Sequence, residues 1–418
     1  MPLCRGERAL CIAEELGAFL PYVGGVDYAH VLLPPLEVLC SYQDVDIRNK
    51  AVDSLSKIGM QMKESDLLQR FIPLVKRLAN STIIAHRVSS CGLFHIAYPS
   101  ASVNLRTDLR LLYGQLCKDD ITLVRRSAAL SLTKLAGTVE PCHLKTDFIR
   151  MFESLSQDGQ EFVRLFSAKS CTRIKKLLEP QDFVEHILPA VLNMSQDASL
   201  RVRYAVADLL CDFCEAVVTE STRVNLVSAY VCLLRDNEAV IRKAAAEKLS
   251  RFCSTLNKEL AIEHIIPCVK ELSSDSAPNV RIFLASEVME IAPVLGKDAA
   301  IEKLVPIIDS LIQDENSFVL LKVVTKHNQV NQVVGDDLLS QSLLNATCRL
   351  AKDSNWRVRL AIAEYIPHLA NQSNVDELIT LCRQSLTDED SSVCNAAYQS
   401  LERLAPGKNG SAGNANVP

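Results

Sequence analysis

Aromatic residues are scarce in this 418-residue chain: 5% in total, with a single tryptophan, Trp356. A core must then come from Leu, Val, Ile and Ala, which suits thin layers of packed helices. No block of Lys or Arg exceeds a few residues, and the net charge is −5. A groove for nucleic acid needs a basic stripe to neutralise phosphates, and none is visible. No run of about 18 uninterrupted apolar residues occurs, so no membrane-spanning helix is expected. Met1–Leu10 lacks the apolar stretch of a secretory signal. Catalytic motifs are also missing. There is no P-loop and no G-x-S-x-G. Metal-dependent phosphate hydrolysis would need a dense Asp/His/Asn cluster with an Asn-His-Glu element, which is absent, and Gly335-Asp336 has no His after it. No enzyme, no small-molecule substrate and no cofactor are therefore expected.

Cysteine, by contrast, is plentiful, with 15 spread along the chain. Cys211–Cys214 forms a CxxC inside the apolar run Leu209–Val217, but no second Cys/His pair stands at ligand spacing. Small buried hydrophobes in a reducing compartment are the reading that fits, which places the chain in the cytosol, with the nucleus left open. Glu185-His186 and Glu263-His264 look like ligand pairs. They lie two periods apart in a slot also filled by Glu302-Lys303, and a slot that accepts Lys is a solvated helix position, not a metal site.

The dominant pattern is a period. Aspartate recurs at 119, 158, 197, 236, 275, 314 and 353, each step being 39 residues. Six residues later comes Arg125, Arg164, Arg203, Arg242, Arg281 or Arg359, preceded by Val or Ile. Ile47-Arg48 and Arg87 extend the frame backwards. Self-similarity at this period marks a helical solenoid. In the stretch Pro189 to Val217, one apolar stripe (Ala190, Val191, Leu192, Met194) precedes the turn Asp197-Ala198-Ser199, and a second (Val202, Ala205, Val206, Leu209, Leu210) follows it. Prolines 34, 73, 189, 267 and 306 share one slot, which predicts helix starts there.

This unit of Pro, then Asp, then Val-Arg resembles the HEAT repeat. The fold class expected is all-α: a HEAT-repeat solenoid of stacked antiparallel helix pairs. The resemblance implies a structural ladder between successive repeats built from Asp119, Asp158, Asp197, Asp236, Asp275, Asp314 and Asp353 with Arg125, Arg164, Arg203, Arg242, Arg281 and Arg359. An acid and a base in fixed phase can pair at every layer. Leu320 stands where an Arg is expected, and Cys394 in another such slot, so looser packing is expected around 314–327 and at the C-terminal end. Residues 1–405 are expected to form one array of a leading half repeat and roughly ten more, the last degenerate. Pro406–Pro418 is expected to be a disordered tail.

Longer strings resemble the scaffolding (A) subunit of protein phosphatase 2A. They include Ala13-Glu14-Glu15-Leu16-Gly17, Leu32-Leu33-Pro34-Pro35-Leu36-Glu37, Phe71-Ile72-Pro73-Leu74-Val75-Lys76-Arg77-Leu78, Arg201-Val202-Arg203-Tyr204 and Trp356-Arg357-Val358-Arg359-Leu360-Ala361. Measured against that family, the first repeat and the last few would be lacking. The resemblance implies a non-catalytic scaffold whose intra-repeat turns hold an exchangeable B-type regulatory subunit together with a catalytic subunit. It implies regulatory-subunit contacts at Asp44, Asp120, Thr122, Arg125, Arg126 and Arg201, and catalytic-subunit contacts at Trp356 and Arg357. Arg125 is in ladder phase, whereas Arg126 is one residue off and points elsewhere on its helix. Ile83, Ile84 and Leu200 fill turn positions where the family commonly has aromatics. Two alternatives stay open: a form that binds only regulatory subunits, and a HEAT adaptor of the transport-receptor kind.

Overall fold

A computed structural model describes residues 5–214, 220–335, 338–370 and 374–405. The expected tail, Pro406–Pro418, lies outside the described residues. Among those described, every regular element is helical. The chain divides into two compact units, Met1–Asp212 and Phe213–Pro418.

The N-terminal unit is a stack of helix pairs. In each pair a first helix, such as Val103–Leu116, leads through a short turn into a second, such as Thr122–Ala136. Second helices pack on second helices: Thr122–Ala136 lies against Glu161–Lys175. The Val before each ladder arginine points into the layer, and Val124 and Val163 are fully buried. Tyr113 ties the two helices of one pair, its hydroxyl donating to the Ala128 carbonyl at 2.8 Å and its ring meeting Phe94 edge-on with centroids 5.0 Å apart.

The C-terminal unit repeats the scheme. Pro278–Glu287 packs on Ala239–Ala246 and on Ser317–Lys326, and Trp356–Leu369 packs on Ser391–Leu404. Tyr230 stacks on Phe252 with ring centroids 3.8 Å apart, and its hydroxyl donates to the Ala245 carbonyl at 2.5 Å. Ile241, Val280 and Val358 are again fully buried.

Each of the five prolines is the second residue of an α-helical segment: Leu33–Leu39, Ile72–Ala79, Leu188–Met194, Ile266–Leu272 and Val305–Ile312. In the last four the helical path nonetheless begins earlier. The helix containing Pro73 begins at Glu64, passes through a π turn at Leu67–Phe71 and continues over Ile72–Ala79. The same wide turn recurs at Phe183–Ile187 before Pro189, Ala261–Ile265 before Pro267, and Ala300–Leu304 before Pro306. A proline inside a helix lacks an N–H and its ring collides with the carbonyl four residues back. In each case that carbonyl lies within the π turn, where the backbone is widened. Leu144–Phe148 has the turn without a proline, so proline exploits the geometry and is not needed to create it.

A turn ridge pinned by arginine forks

Arg87, Arg125, Arg164, Arg242, Arg281 and Arg359 are three-way staples. In the N-terminal unit, Arg125 donates from Nε and Nη2 to Asp158 of the next repeat at 2.6 and 3.1 Å, and from Nη1 to the Asp119 carbonyl of its own turn at 2.7 Å. Arg87 forks onto Asp119 at 2.7 and 3.2 Å, and Arg164 onto Asp197 at 2.7 and 2.8 Å. In the C-terminal unit the forks are Arg242 on Asp275, Arg281 on Asp314 and Arg359 on Asp388. Every one of these aspartates also accepts the backbone N–H two residues on, as Ile121 N–H to Asp119 at 2.9 Å. The aspartate therefore shapes its own turn while the arginine fixes that turn to its neighbour. Planar guanidinium and carboxylate match in such a fork, which gives direction as well as energy.

Burial alone would raise the carboxyls of Asp119, Asp197 and Asp275. The arginine fork and the backbone N–H outweigh it, so all three lie below their usual range. Asp388 is lowered first by the Arg359 fork. Arg203 donates to the Asp197 and Ala198 carbonyls at 2.8 and 3.2 Å, and Asp236 accepts from the Glu238 N–H at 2.9 Å.

Irregular rungs are filled by other groups. Leu320 is buried, and Asp353 accepts the Ser317 hydroxyl and the Asn355 N–H instead of a guanidinium. Arg349 reaches across to the Ile312 and Asp314 carbonyls, both at 3.3 Å. Cys394 occupies the arginine slot, with its Sγ donating to the Asp388 carbonyl at 3.2 Å, the carbonyl that an arginine Nη1 would meet. Asp388 itself was missed by the period because it follows Asp353 by 35 residues rather than 39. At the other end, Ser81 stands where the rung below would place an aspartate. It caps its own turn through the Ile83 N–H at 3.1 Å and leaves Arg48 Nε without a partner.

The forks leave the remaining turn residues facing water. Asp44 is a helix N-cap, accepting from Asp46 and Ile47 N–H at 2.9 and 3.1 Å. Asp120 is exposed and Thr122 half-buried. Arg125 is committed to its staple, so its side chain is structural. Arg126 is exposed and lies over Phe162 and Phe166, 5.7 and 5.2 Å from the ring centroids. Arg201 lies over the other side of the cluster, 5.2 Å from the Phe162 centroid, and pairs with Glu161 at 2.7 Å. The structure thus brings Arg126 and Arg201 together through an aromatic that sequence reasoning passed over. Phe162 sits 39 residues before Arg201 and 39 after Leu123, so the phase could have found it. Ile83, Ile84, Leu123, Phe162 and Leu200 are all exposed apolar side chains of these turns.

In the C-terminal unit, Trp356 opens the helix Trp356–Leu369, whose N-cap Asn355 accepts the Arg357 N–H. Trp356 is half-buried, and the Arg357 guanidinium lies 4.7 Å from its ring centroid. Phe318 occupies the position of Phe162 and is likewise exposed.

Cys211 and Cys214 are buried. Among the described residues no group of three or more His, Cys, Asp and Glu side chains could hold a metal, and no helix is long and apolar enough to cross a membrane.

Residues 219–296 match a family described as PPP2R1A-like HEAT repeat, and residues 187–217 match the HEAT repeat. The chain is 58% identical over 134 residues to the alpha isoform of the 65 kDa regulatory (A) subunit of phosphatase 2A from Arabidopsis thaliana, covering 32% of this chain and 23% of that protein. This chain is a HEAT-repeat protein similar to the regulatory (A) subunits of phosphatase 2A. The beta isoform from Rattus norvegicus is 44% identical over 134 residues, covering 32% of this chain and 22% of that protein. The protein phosphatase 2A scaffold subunit of Dictyostelium discoideum is 40% identical over the same length, covering 32% of this chain and 23% of that protein. The matched stretch is thus less than a quarter of the length of these relatives. Among solved structures, Kap95p bound to RanGDP aligns with a TM-score of 0.63 at 11% identity, over 94% of this chain and 53% of that one. Kap121p bound to the C-terminus of the phosphatase Cdc14p aligns with a TM-score of 0.59 at 13% identity, over 95% of this chain and 50% of that one. These two share the solenoid fold.

Proposed function

We propose that this HEAT-repeat chain is a non-catalytic scaffold of a phosphatase 2A complex, holding partners along its pinned turns. The reading rests on the 58% identity to the plant phosphatase 2A relative. The geometry that agrees with it is the exposed Arg126–Phe162–Arg201 cluster on neighbouring turns. The forks hold consecutive turns in register, so a partner meets a preorganised row of side chains and loses little binding energy to ordering them. A B-type regulatory subunit would seat on the row from Asp120 to Arg201, with Arg126 and Arg201 offering charge beside an aromatic face. The catalytic subunit would use Trp356 and Arg357; tryptophan and arginine are favoured anchors. Such a scaffold accelerates dephosphorylation by raising the effective concentration of substrate adaptor near the catalytic centre. Its expected place is the cytosol.

Titration calorimetry with purified catalytic subunit, first by itself and then with a B-type subunit, tests the reading. Binding to both supports the scaffold. Binding only to the B-type subunit would restrict the chain to regulatory subunits. Binding to neither would remove the phosphatase reading and leave an adaptor with other clients.

A further inference from the structure

A second built surface lies in the N-terminal unit, on the first helices, and reaches the turn ridge only at Lys118. Val103–Leu116 packs on Ile72–Ala79 on one side and only sparsely on Ile149–Ser156 on the other. A polar wedge props this second pair apart at one end. Arg110, side chain 7% exposed, donates to the Tyr98 hydroxyl at 2.5 Å, to Asp147 at 2.7 Å and to Thr107 at 3.1 Å. Glu140 closes the wedge, accepting from Tyr98 and Arg106, both at 2.6 Å. Burial works against the Glu140 carboxylate, yet the Tyr98 hydroxyl and Arg106 draw it down to about 2, so the wedge stays charged at neutral pH. The splay leaves an open groove of about 980 Å³.

Gly114 forms the floor. It sits inside an ordinary helix, where glycine costs about 0.5–1 kcal/mol relative to alanine. Its backbone needs no positive φ, since the positive-φ glycines are Gly24, Gly25, Gly296 and Gly335. Packing does not demand it either: an added Cβ would meet only Met151 Cε, at an ordinary 3.5 Å. What the missing side chain does provide is depth. Beside it Leu111 is 65% exposed, an apolar wall with nothing on it. On the rim, Asp147 is taken by Arg110, with His143 at 3.8 Å. Lys118 and Arg150 line the groove and make no ion pair among the described residues. The acids closest to Lys118 in sequence are Asp119, which is held by Arg87, and Asp120, which lies on the turn.

We infer that this groove docks an acidic peptide segment of another protein, with an aliphatic or aromatic anchor seated over Gly114 between Leu111 and Met151, and carboxylates on Lys118 and Arg150. The glycine floor supplies room for the anchor, and the unpaired cations supply charge complementarity. The inference does not depend on the phosphatase reading.

The test is selection of a displayed random-peptide library on the full chain, followed by affinity measurement on variants. The expected peptides combine a large apolar residue with Asp or Glu. Their affinity should fall at least about tenfold on Lys118→Glu/Arg150→Glu, where repulsion replaces attraction. Gly114→Leu, which fills the floor, should abolish binding, while Arg126→Glu leaves it unchanged. Circular dichroism and thermal melts establish that each variant is folded; the surface pair carries the test if Gly114→Leu is not. Equal binding to all variants, enrichment of peptides without acids, or no enrichment over a bare surface would overturn the inference. So would a dimer in sedimentation velocity that Gly114→Leu dissociates, because the occupant would then be a second copy of the chain.

Discussion

Replacing Asp314 with alanine should loosen one layer of the C-terminal unit and leave others intact. Arg281 forks onto Asp314 at 2.6 and 3.0 Å and keeps a third bond to the Asp275 carbonyl at 2.7 Å. The side chains of Arg281 and Asp314 are only 11% and 6% exposed, so the substitution strands a largely desolvated guanidinium. Removing one member of a buried pair costs about 3–5 kcal/mol. The surviving Nη1 bond and the edge of solvent contact place the expected loss near the lower end, about 3 kcal/mol. The Asn316 N–H also loses its acceptor, which is included in that figure. The exposed pair Lys63–Asp27, with both side chains more than half exposed, is the control. Asp27→Asn should leave stability nearly unchanged, because solvent screens this exposed pair. Repeat stacks are stabilised layer by layer. Native-state hydrogen exchange should therefore show lost protection in Pro278–Glu287 and Ser317–Lys326, with Ser391–Leu404 unchanged. Equal effects of the two substitutions, or a uniform loss across the unit, would refute the view that the fork carries interlayer energy.

Three further outcomes follow from the same geometry. Asp119, Asp197, Asp275 and Asp388 lie below the usual 3.8 in the folded chain, so their contribution is complete above that value and is lost as pH falls through the depressed folded values; acid titration followed by circular dichroism should place the fall in stability below pH 3.8, and a midpoint well above it would contradict the ladder's role. Arg126→Glu should weaken a B-type partner while costing about 1 kcal/mol or less of stability, the worth of its cation–π contacts, and equal losses in binding and melting would return Arg126 to a structural role. Gly59→Ala should destabilise by about 1–3 kcal/mol, because the new Cβ meets Ile96 and Phe71 at 2.7 and 3.0 Å, whereas Gly114→Ala should stabilise by about 0.5–1 kcal/mol; urea melts of the pair decide it.

The period of the chain was legible because one acid and one base must recur in phase for the forks to close. Fold class and second-helix positions followed from it. The prolines each open an α-helical segment, as their shared slot implied, but four of those segments continue from a π turn such as Leu67–Phe71, which the slot alone did not reveal. Asp388 escaped because the intervening segment is four residues short, yet the fork from Arg359 still closes. The substitutions at Leu320 and Cys394 read as gaps in sequence, but Ser317 meets Asp353 from off the ladder phase, and the Cys394 thiol, in the arginine slot, takes the carbonyl an arginine would have met. The Arg126–Phe162–Arg201 cluster depends on which side chains lean together across a turn. Spacing supplies the candidates for such contacts, and only the packed layers decide among them.

The most direct test of the scaffold is whether the chain bridges its partners. Sedimentation velocity of this chain mixed with the catalytic and B-type subunits of phosphatase 2A should show one species containing all three, reduced by Arg126→Glu and by Trp356→Ala. Catalytic and B-type subunits sedimenting without the chain, or a complex indifferent to both substitutions, would contradict it.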